Sequence, residues 1–129
     1  MKKFSHHITV PPTAIDENEH VNNVVYLQWC IDVAEKHWEK VGPKSYQESH
    51  FWVVLEHHIS YKNPAFEGEE LRVETWVTSA EGVKSERSYK IMRVNDDTVM
   101  VEAKTTWCFM AIENERPARI PEEIQQLFL

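Results

Sequence analysis

The residues best equipped for chemistry lie together in the run Asp16-Glu17-Asn18-Glu19-His20-Val21-Asn22-Asn23. They supply a carboxylate that can attack a carbonyl or take a proton from water, an imidazole, and amides that both donate and accept hydrogen bonds. The run leads directly into Val24-Val25-Tyr26 and a long amphipathic segment. A helix starting there turns unpaired backbone N–H groups and a partial positive charge toward the loop. Polar side chains at such a junction serve either as caps or as a reaction site, and residue types alone leave both open.

The element that must position this loop is a helix predicted over about Asn23 to Val41. Tyr26, Trp29, Cys30, Val33, Ala34, His37, Trp38 and Val41 recur at helical spacing. Adding Leu27 and Ile31 widens the apolar arc to about 200°, too wide for a surface helix, so other structure should wrap it. Its length is about 28 Å at ~1.5 Å per residue, and Gly42-Pro43 ends it. Phe4 to Val10 reads as a first strand, stopped by Pro11-Pro12.

Everything after the helix reads as strands. Phe51, Val53, Leu55, His57, Ile59 and Tyr61 alternate on one face, which puts Glu56 and His58 on the other. Leu71, Val73, Thr75 and Val77 alternate next, and Glu81-Gly82 makes a tight turn. Lys84 to Val94 is a less amphipathic strand, and Asn95-Asp96-Asp97 a second turn. Val99, Val101, Ala103, Thr105, Trp107 and Phe109 form the longest clean alternation, and Pro121 to Leu129 is expected to hold one or two helical turns. A consecutive antiparallel sheet with one apolar face needs a cover, and the opening helix is the only long element able to provide it. The sheet is therefore expected to curl around that helix, and its remaining edges to favour a homodimer or homotetramer.

At 129 residues the chain is expected to form one domain, 1–129. A formal charge of −7 speaks against nucleic acid or an anionic membrane as the main partner, while leaving room for a phosphate-bearing small ligand. No apolar run is long enough for a transmembrane helix, and Met1 to His7 lacks the apolar core of a signal peptide, so a cytoplasmic protein is the simplest fit. Cys30 and Cys108 stand alone and are expected to be small buried side chains. His37, inside the apolar arc, is expected to be a hydrogen-bonded core residue. The pairs His6-His7 and His57-His58 point to opposite faces of their strands, which is wrong for joint chelation; no metal or cofactor is expected.

The order strand, loop, long helix, four antiparallel strands resembles the hotdog fold, an α+β architecture in which a five-stranded antiparallel sheet wraps one long central helix. The run Asp16-x-Asn18-x-His20-Val21-Asn22-Asn23-x-x-Tyr26-x-x-Trp29 is similar to the Asp-x-Asn-x-His-Val-Asn-Asn stretch of plant acyl-ACP thioesterases. Tyr61-Lys62-Asn63-Pro64-Ala65-Phe66-Glu67-Gly68-Glu69-Glu70-Leu71 resembles the tyrosine–proline–glycine–acid segment of the 4-hydroxybenzoyl-CoA thioesterase-like family. The resemblance implies hydrolysis of an acyl-CoA, or of an acyl-ACP, to the free acid.

On that resemblance Asp16 is the catalytic carboxylate, acting either as nucleophile or as general base. A carboxylate of ordinary pKa, about 3.9, is a poor base at neutral pH but can attack without any shift. The competing reading of Asp16 is a turn cap before the helix. Asn23 falls where the 4-hydroxybenzoyl-CoA branch uses a backbone N–H to polarise the thioester carbonyl, as the first free amides of a helix are suited to do. Asn18 and His20 match plant-branch positions implicated in catalysis, with structural roles equally open.

Two departures bear on this. Glu19 stands where many bacterial relatives have glycine and adds a negative charge near Asp16, which would favour the base role. Pro64 occupies the place of a further acid in the plant branch, and Glu56 is a substitute on spacing alone. Lys62, Lys84, Arg87, Lys90 and Arg93 are either contacts for the phosphates of CoA or an ordinary charged strand face. A hydratase or dehydratase on the same fold, and a non-enzymatic acyl-thioester-binding protein, are the rival readings.

Overall fold

The computed structural model describes residues 2–129. Helix α1 spans Asn23–Val41, the bounds its periodicity predicts, and buries Tyr26, Cys30, Val33, Ala34 and His37. Asn22 caps its start, its side-chain oxygen accepting from the Val24 N–H at 2.9 Å. At the other end the Gln47 amide Nε2 donates to the carbonyls of Trp38, Glu39 and Gly42 at 3.2, 3.1 and 2.7 Å, taking up orphan acceptors of the last turn. Gly42 is required by proximity, because a Cβ there would lie 2.6 Å from both the Trp38 carbonyl oxygen and its ring. Gln47 belongs to a short helix, α2, over Lys44–Ser49, which the polar sequence of that stretch did not predict.

The strands are β1 (Phe4–Thr9), β2 (His50–Tyr61), β3 (Glu70–Glu81), β4 (Lys84–Arg93), β5 (Val99–Ala111) and a two-residue β6 (Arg116–Pro117). All pair antiparallel, and the main order is β1-β3-β4-β5-β2, with β6 added to the end of β5. This is the curled sheet over one long helix expected of a hotdog fold, with one correction: β2 does not pair with its successor. Residues 62–69 carry the chain across the fold, so β2 ends as an edge strand beside β5.

A second correction concerns the faces of β2. Its register against β5 slips between Val54 and Glu56, leaving Leu55 as an extra residue. Before the bulge Trp52 and Val54 turn inward; after it His57 and Ile59 do. Phe51, Val53 and Leu55 are consequently 38%, 37% and 52% exposed along an open sheet edge.

The sheet's concave face closes on α1 through Leu71, Val73, Ile91 and Val101, which pack with Tyr26, Cys30 and Val33. Each apolar side chain fully buried there contributes about 1.5–3 kcal/mol. A second cluster forms at the C-terminal end of α1, where α3 (Glu122–Phe128) lays Ile124 and Phe128 against Val77, Phe109 and Trp38. Both cysteines are buried and unpaired, as expected. Burial pushes the Cys30 thiol up to about 12, so it is inert.

Candidate active site

The loop between β1 and α1 is held by its own backbone. A bridge between Ile15 and Val21 closes it, the Asp16 N–H donates to the His20 carbonyl at 3.0 Å, and the Glu19 N–H donates to the Asp16 carbonyl at 3.0 Å. This tight reversal forces Glu19 to φ 64°, a left-handed conformation that glycine adopts freely and an L side chain does not. Glu19 holds this loop shape at a cost of about 1–2 kcal/mol, which a glycine there would not bear.

The loop is also clamped from outside. Ala65, fully buried, accepts the Val21 N–H at 3.0 Å through its carbonyl and donates its own N–H to the Tyr26 hydroxyl at 2.9 Å. The Asn22 N–H donates to the Ala14 carbonyl at 2.9 Å, and the Tyr61 hydroxyl donates to the Asn23 carbonyl at 3.2 Å. Phe66 meets the His20 ring edge-on, with centroids 5.4 Å apart. The segment from Tyr61 to Phe66 thus fixes the helix start and its loop. Glu69 continues the clamp, accepting the Phe66 N–H at 2.7 Å and the Arg93 guanidinium at 2.9 Å.

Within this frame Asp16 is half-buried, and one carboxylate oxygen accepts the Asn18 N–H at 2.9 Å. Asp16 is therefore a turn cap, and its second oxygen has no protein donor among the described residues. The capping role is compatible with chemistry at that second oxygen. Asn18, Glu19 and His20 are exposed on the loop, and Asn23 is the first residue of α1, its N–H without an intrahelical acceptor. Burial pushes the Tyr26 hydroxyl up, the Ala65 N–H it accepts works against this, and the charges of Glu69, Tyr61 and Asp16 add to the rise. Tyr61 and Ala65 were legible only as part of the family-like segment; nothing in their residue types marked them as the clamp.

The other singled-out side chains lie elsewhere. Glu56 is exposed on the outward face and pairs with His58 at 2.8 Å, about 17 Å along β2 from Tyr61 at ~3.4 Å per residue. His57 faces inward to Thr105 at 2.8 Å. Arg93 is taken by Glu69 and Asp96. Arg87 is not on a charged strand face. It is 7% exposed, and Nη1 donates to His37 Nδ1 at 2.9 Å and to Thr75 Oγ1 at 3.1 Å. His37 is the hydrogen-bonded core residue its position predicts. It lies stacked on Phe4 and edge-on to Phe128, and burial with the Arg87 charge lowers its pKa to about 4.

Beside these residues a cavity of about 410 Å³ opens between the C-terminal half of α1, the start of β2 and α3. Ala34, Trp38, Trp52, Trp107, Phe128 and Arg87 are among its walls. It lies 11 to 16 residues along α1 from Asn23, about 16–24 Å at ~1.5 Å per residue.

A curled antiparallel sheet around one helix, with a polar acidic loop at that helix's N-terminus, defines a hotdog-fold protein. A sequence profile of the Thioesterase-like superfamily matches residues 10–128, and the chain belongs to that superfamily, a class of thioester hydrolases. Comparison with curated protein sequences finds no match. Among solved structures, the chain is similar to Slr0204, a 1,4-dihydroxy-2-naphthoyl-CoA thioesterase from Synechocystis, at 18% identity and a TM-score of 0.84 over 98% of this chain and 95% of that one. It is similar to SAV2348 from Staphylococcus aureus in complex with CoA, at 19% identity and a TM-score of 0.88 over 98% and 81%. It also matches the 12:0-ACP thioesterase from Umbellularia californica at 13% identity and a TM-score of 0.82, over 97% of this chain and 49% of that one. At these identities the likeness is one of fold. Among the described residues no helix is long and apolar enough to cross a membrane.

Proposed function

We propose that residues 1–129 act as one cytoplasmic hotdog thioesterase domain that hydrolyses acyl-CoA to free acid and CoA, an acyl-ACP being the alternative substrate. The observation that carries this reading is a single junction of complementary groups. Among the described residues, the Asp16 carboxylate keeps an oxygen free of protein donors, and the adjoining helix offers the Asn23 N–H, unpaired and at the positive end of α1. The thioester carbonyl accepts from that amide, which stabilises the oxyanion as it forms. As nucleophile, Asp16 forms a mixed anhydride while the C–S bond breaks, and water then releases the acid. As base, it takes a proton from the attacking water and passes it to the departing thiolate. Asn18 and His20 flank the carboxylate and orient water or substrate.

The acyl group is received by a second copy of the chain. β2 is an open edge carrying exposed Phe51, Val53 and Leu55, and Val24 on α1 is 72% exposed beside half-buried Leu27 and Ile31. Antiparallel pairing of β2 with its twin sets the His50–Trp52 end of one strand against the Ile59–Tyr61 end of the other. Tyr61 touches Asn23, and His50, Phe51 and Trp52 line the cavity mouth. A two-fold dimer thus brings each Asp16 loop to the partner's cavity, whereas α1 holds the chain's own cavity about 16–24 Å from Asn23.

Thiol release from a panel of acyl-CoA and acyl-ACP thioesters tests the reading. Wild type should hydrolyse at least one of them, and Asp16→Ala should lose at least about a hundredfold in kcat, as removal of a nucleophile or general base does. Full activity in Asp16→Ala would remove Asp16 from the mechanism. Acid quench of a single turnover separates the two roles, since acyl mass on the Asp16 peptide appears only for the nucleophile.

A further inference from the structure

Arg87 is a buried cation without an anion. Its residue is 7% exposed, its two hydrogen-bond partners are neutral, and among the described residues no carboxylate lies within ion-pairing distance. Burial of an unpaired charge is strongly unfavourable, and a core ordinarily holds one only in company with a counterion. This chain has 21 acidic side chains to choose from and brings none of them to Arg87.

The guanidinium is also only partly used. A guanidinium offers five N–H donors. Nη1 serves His37 and Thr75, while Nε and Nη2 have no acceptor among the described residues. Every sealed side-chain nitrogen and oxygen among the described residues has a partner, so these two nitrogens are not sealed off. Arg87 lines the cavity, whose other deep walls include Trp38, Trp52, Trp107 and Phe128, with Phe128 5.9 Å from the guanidinium carbon. The acids on the lining, Glu35 and Glu39, sit exposed on α1 at its rim. Gln47, His50 and Ser85 also line the cavity but are hydrogen-bonded within the protein. A largely apolar chamber with one preoriented fork of free donors matches a planar carboxylate at the end of a hydrocarbon chain.

We propose that the cavity binds the far end of acyl groups that terminate in a carboxylate, with Arg87 as the specificity-determining residue, so that the preferred substrates are thioesters of dicarboxylic acids. This rests on the hydrolytic reading for the word substrate, and on the cavity alone for the carboxylate. Burial lowers the Arg87 pKa to about 10, which still leaves it charged at neutral pH, and the neutral His37 beside it accepts from it without competing for the anion.

Two measurements test it. First, ω-carboxyacyl-CoA thioesters are compared with plain acyl-CoA of equal carbon number, from four to twelve carbons, in wild type, Arg87→Met and Arg87→Lys. Wild type should favour the ω-carboxy member by about tenfold or more in kcat/KM at one length, through KM, as a charge-assisted hydrogen bond predicts. Arg87→Met should abolish that ratio, and Arg87→Lys should restore part of it. A preference for the plain series at every length, or an unchanged ratio in Arg87→Met, overturns the proposal. Second, octanoate and octanamide are titrated against tryptophan fluorescence, which three tryptophans on the cavity wall should report. Octanoate should bind about tenfold more tightly in wild type and lose that advantage in Arg87→Met. Carboxylate binding without hydrolysis of any thioester would sink the hydrolytic reading and leave this one standing; hydrolysis with equal binding of both probes does the reverse. Should Arg87→Met fail to fold, the wild-type ratios and the Arg87→Lys comparison decide alone.

Discussion

Acidification should act on this fold through one buried ring. His37 is 3% exposed, and its Nδ1 must accept, because arginine has only donors to offer. A proton on Nδ1 removes that acceptor and sets imidazolium against guanidinium between the rings of Phe4 and Phe128. Burial, and then the Arg87 charge, hold the folded pKa at about 4. The unfolded value is near 6.5. Between those values the unfolded chain binds more protons at this site than the folded one, so stability rises with pH. The contribution is complete above about pH 6.5 and is lost as pH falls through 4. At 1.36 kcal/mol per tenfold change in proton affinity, the gap between 6.5 and about 4 is worth about 3 kcal/mol. That is a large share of a total stability of about 5–15 kcal/mol.

The assay is urea unfolding of wild type and His37→Gln at intervals from pH 7 to pH 4. Glutamine can still accept from Arg87 and does not titrate. Carboxylates protonate in both proteins and cancel in the difference. Wild type should lose about 3 kcal/mol more than the variant across the window, about 2 of it by pH 5. Parallel curves for the two proteins would refute the linkage, and would mean that the ring is hydrated or already charged in the folded state.

Two further substitutions follow from the backbone. Glu19→Gly relieves the left-handed strain of about 1–2 kcal/mol and gives back about 0.5–1 to the greater freedom of unfolded glycine, so a gain of up to about 1.5 kcal/mol is expected in denaturant titrations; a loss of stability would show that the Glu19 side chain makes a contact worth more than its strain. Leu55→Lys puts a cation on the open edge near the centre of β2, where self-pairing would set it close to its own copy. The chain's own stability should stay within about 0.5 kcal/mol, while sedimentation should show dissociation into monomers and hydrolysis per chain should fall with it. A dimer of undiminished activity would place the interface elsewhere.

The parts of this fold legible in the sequence are those where one physical period runs uninterrupted. α1 has the predicted bounds because its apolar positions recur without a break, Asn22 caps it, and Gly42 is the residue its last turn can accommodate. β5 is a central strand and alternates from Val101 to Thr105, although Met100 and Cys108 are buried out of phase with it. The readings failed where a single residue changes the phase. Leu55 exchanges the faces of β2, so the apolar side chains counted as core before the bulge are the ones that line the free edge. β4 hid its inward face because Ser85, Arg87 and Tyr89 hold positions that alternation reserves for apolar residues. The path that carries β2 to the far edge is written in contacts between residues far apart in sequence, such as Trp52 with Phe109, and no local pattern encodes it.

The candidate site was legible for a different reason: its residues are close in sequence and make the loop themselves. That compactness also explains why capping and catalysis need not compete. Asp16 spends one oxygen on the Asn18 amide, and Asn22 takes the Val24 amide. Two side chains thus rigidify the loop with groups that point along the backbone, and the second Asp16 oxygen and the Asn23 N–H are left over. A buried polar group left over is unfavourable, but these lie on a half-buried rim where water serves until a substrate replaces it. Arg87 presents the opposite case, deep in the core with neutral partners and donors to spare. In both places the groups without partners mark where a ligand would complete the hydrogen bonding, one at each end of α1. A single chain holds those ends too far apart for a short acyl group, and a two-fold pairing through β2 is the simplest arrangement that brings them together.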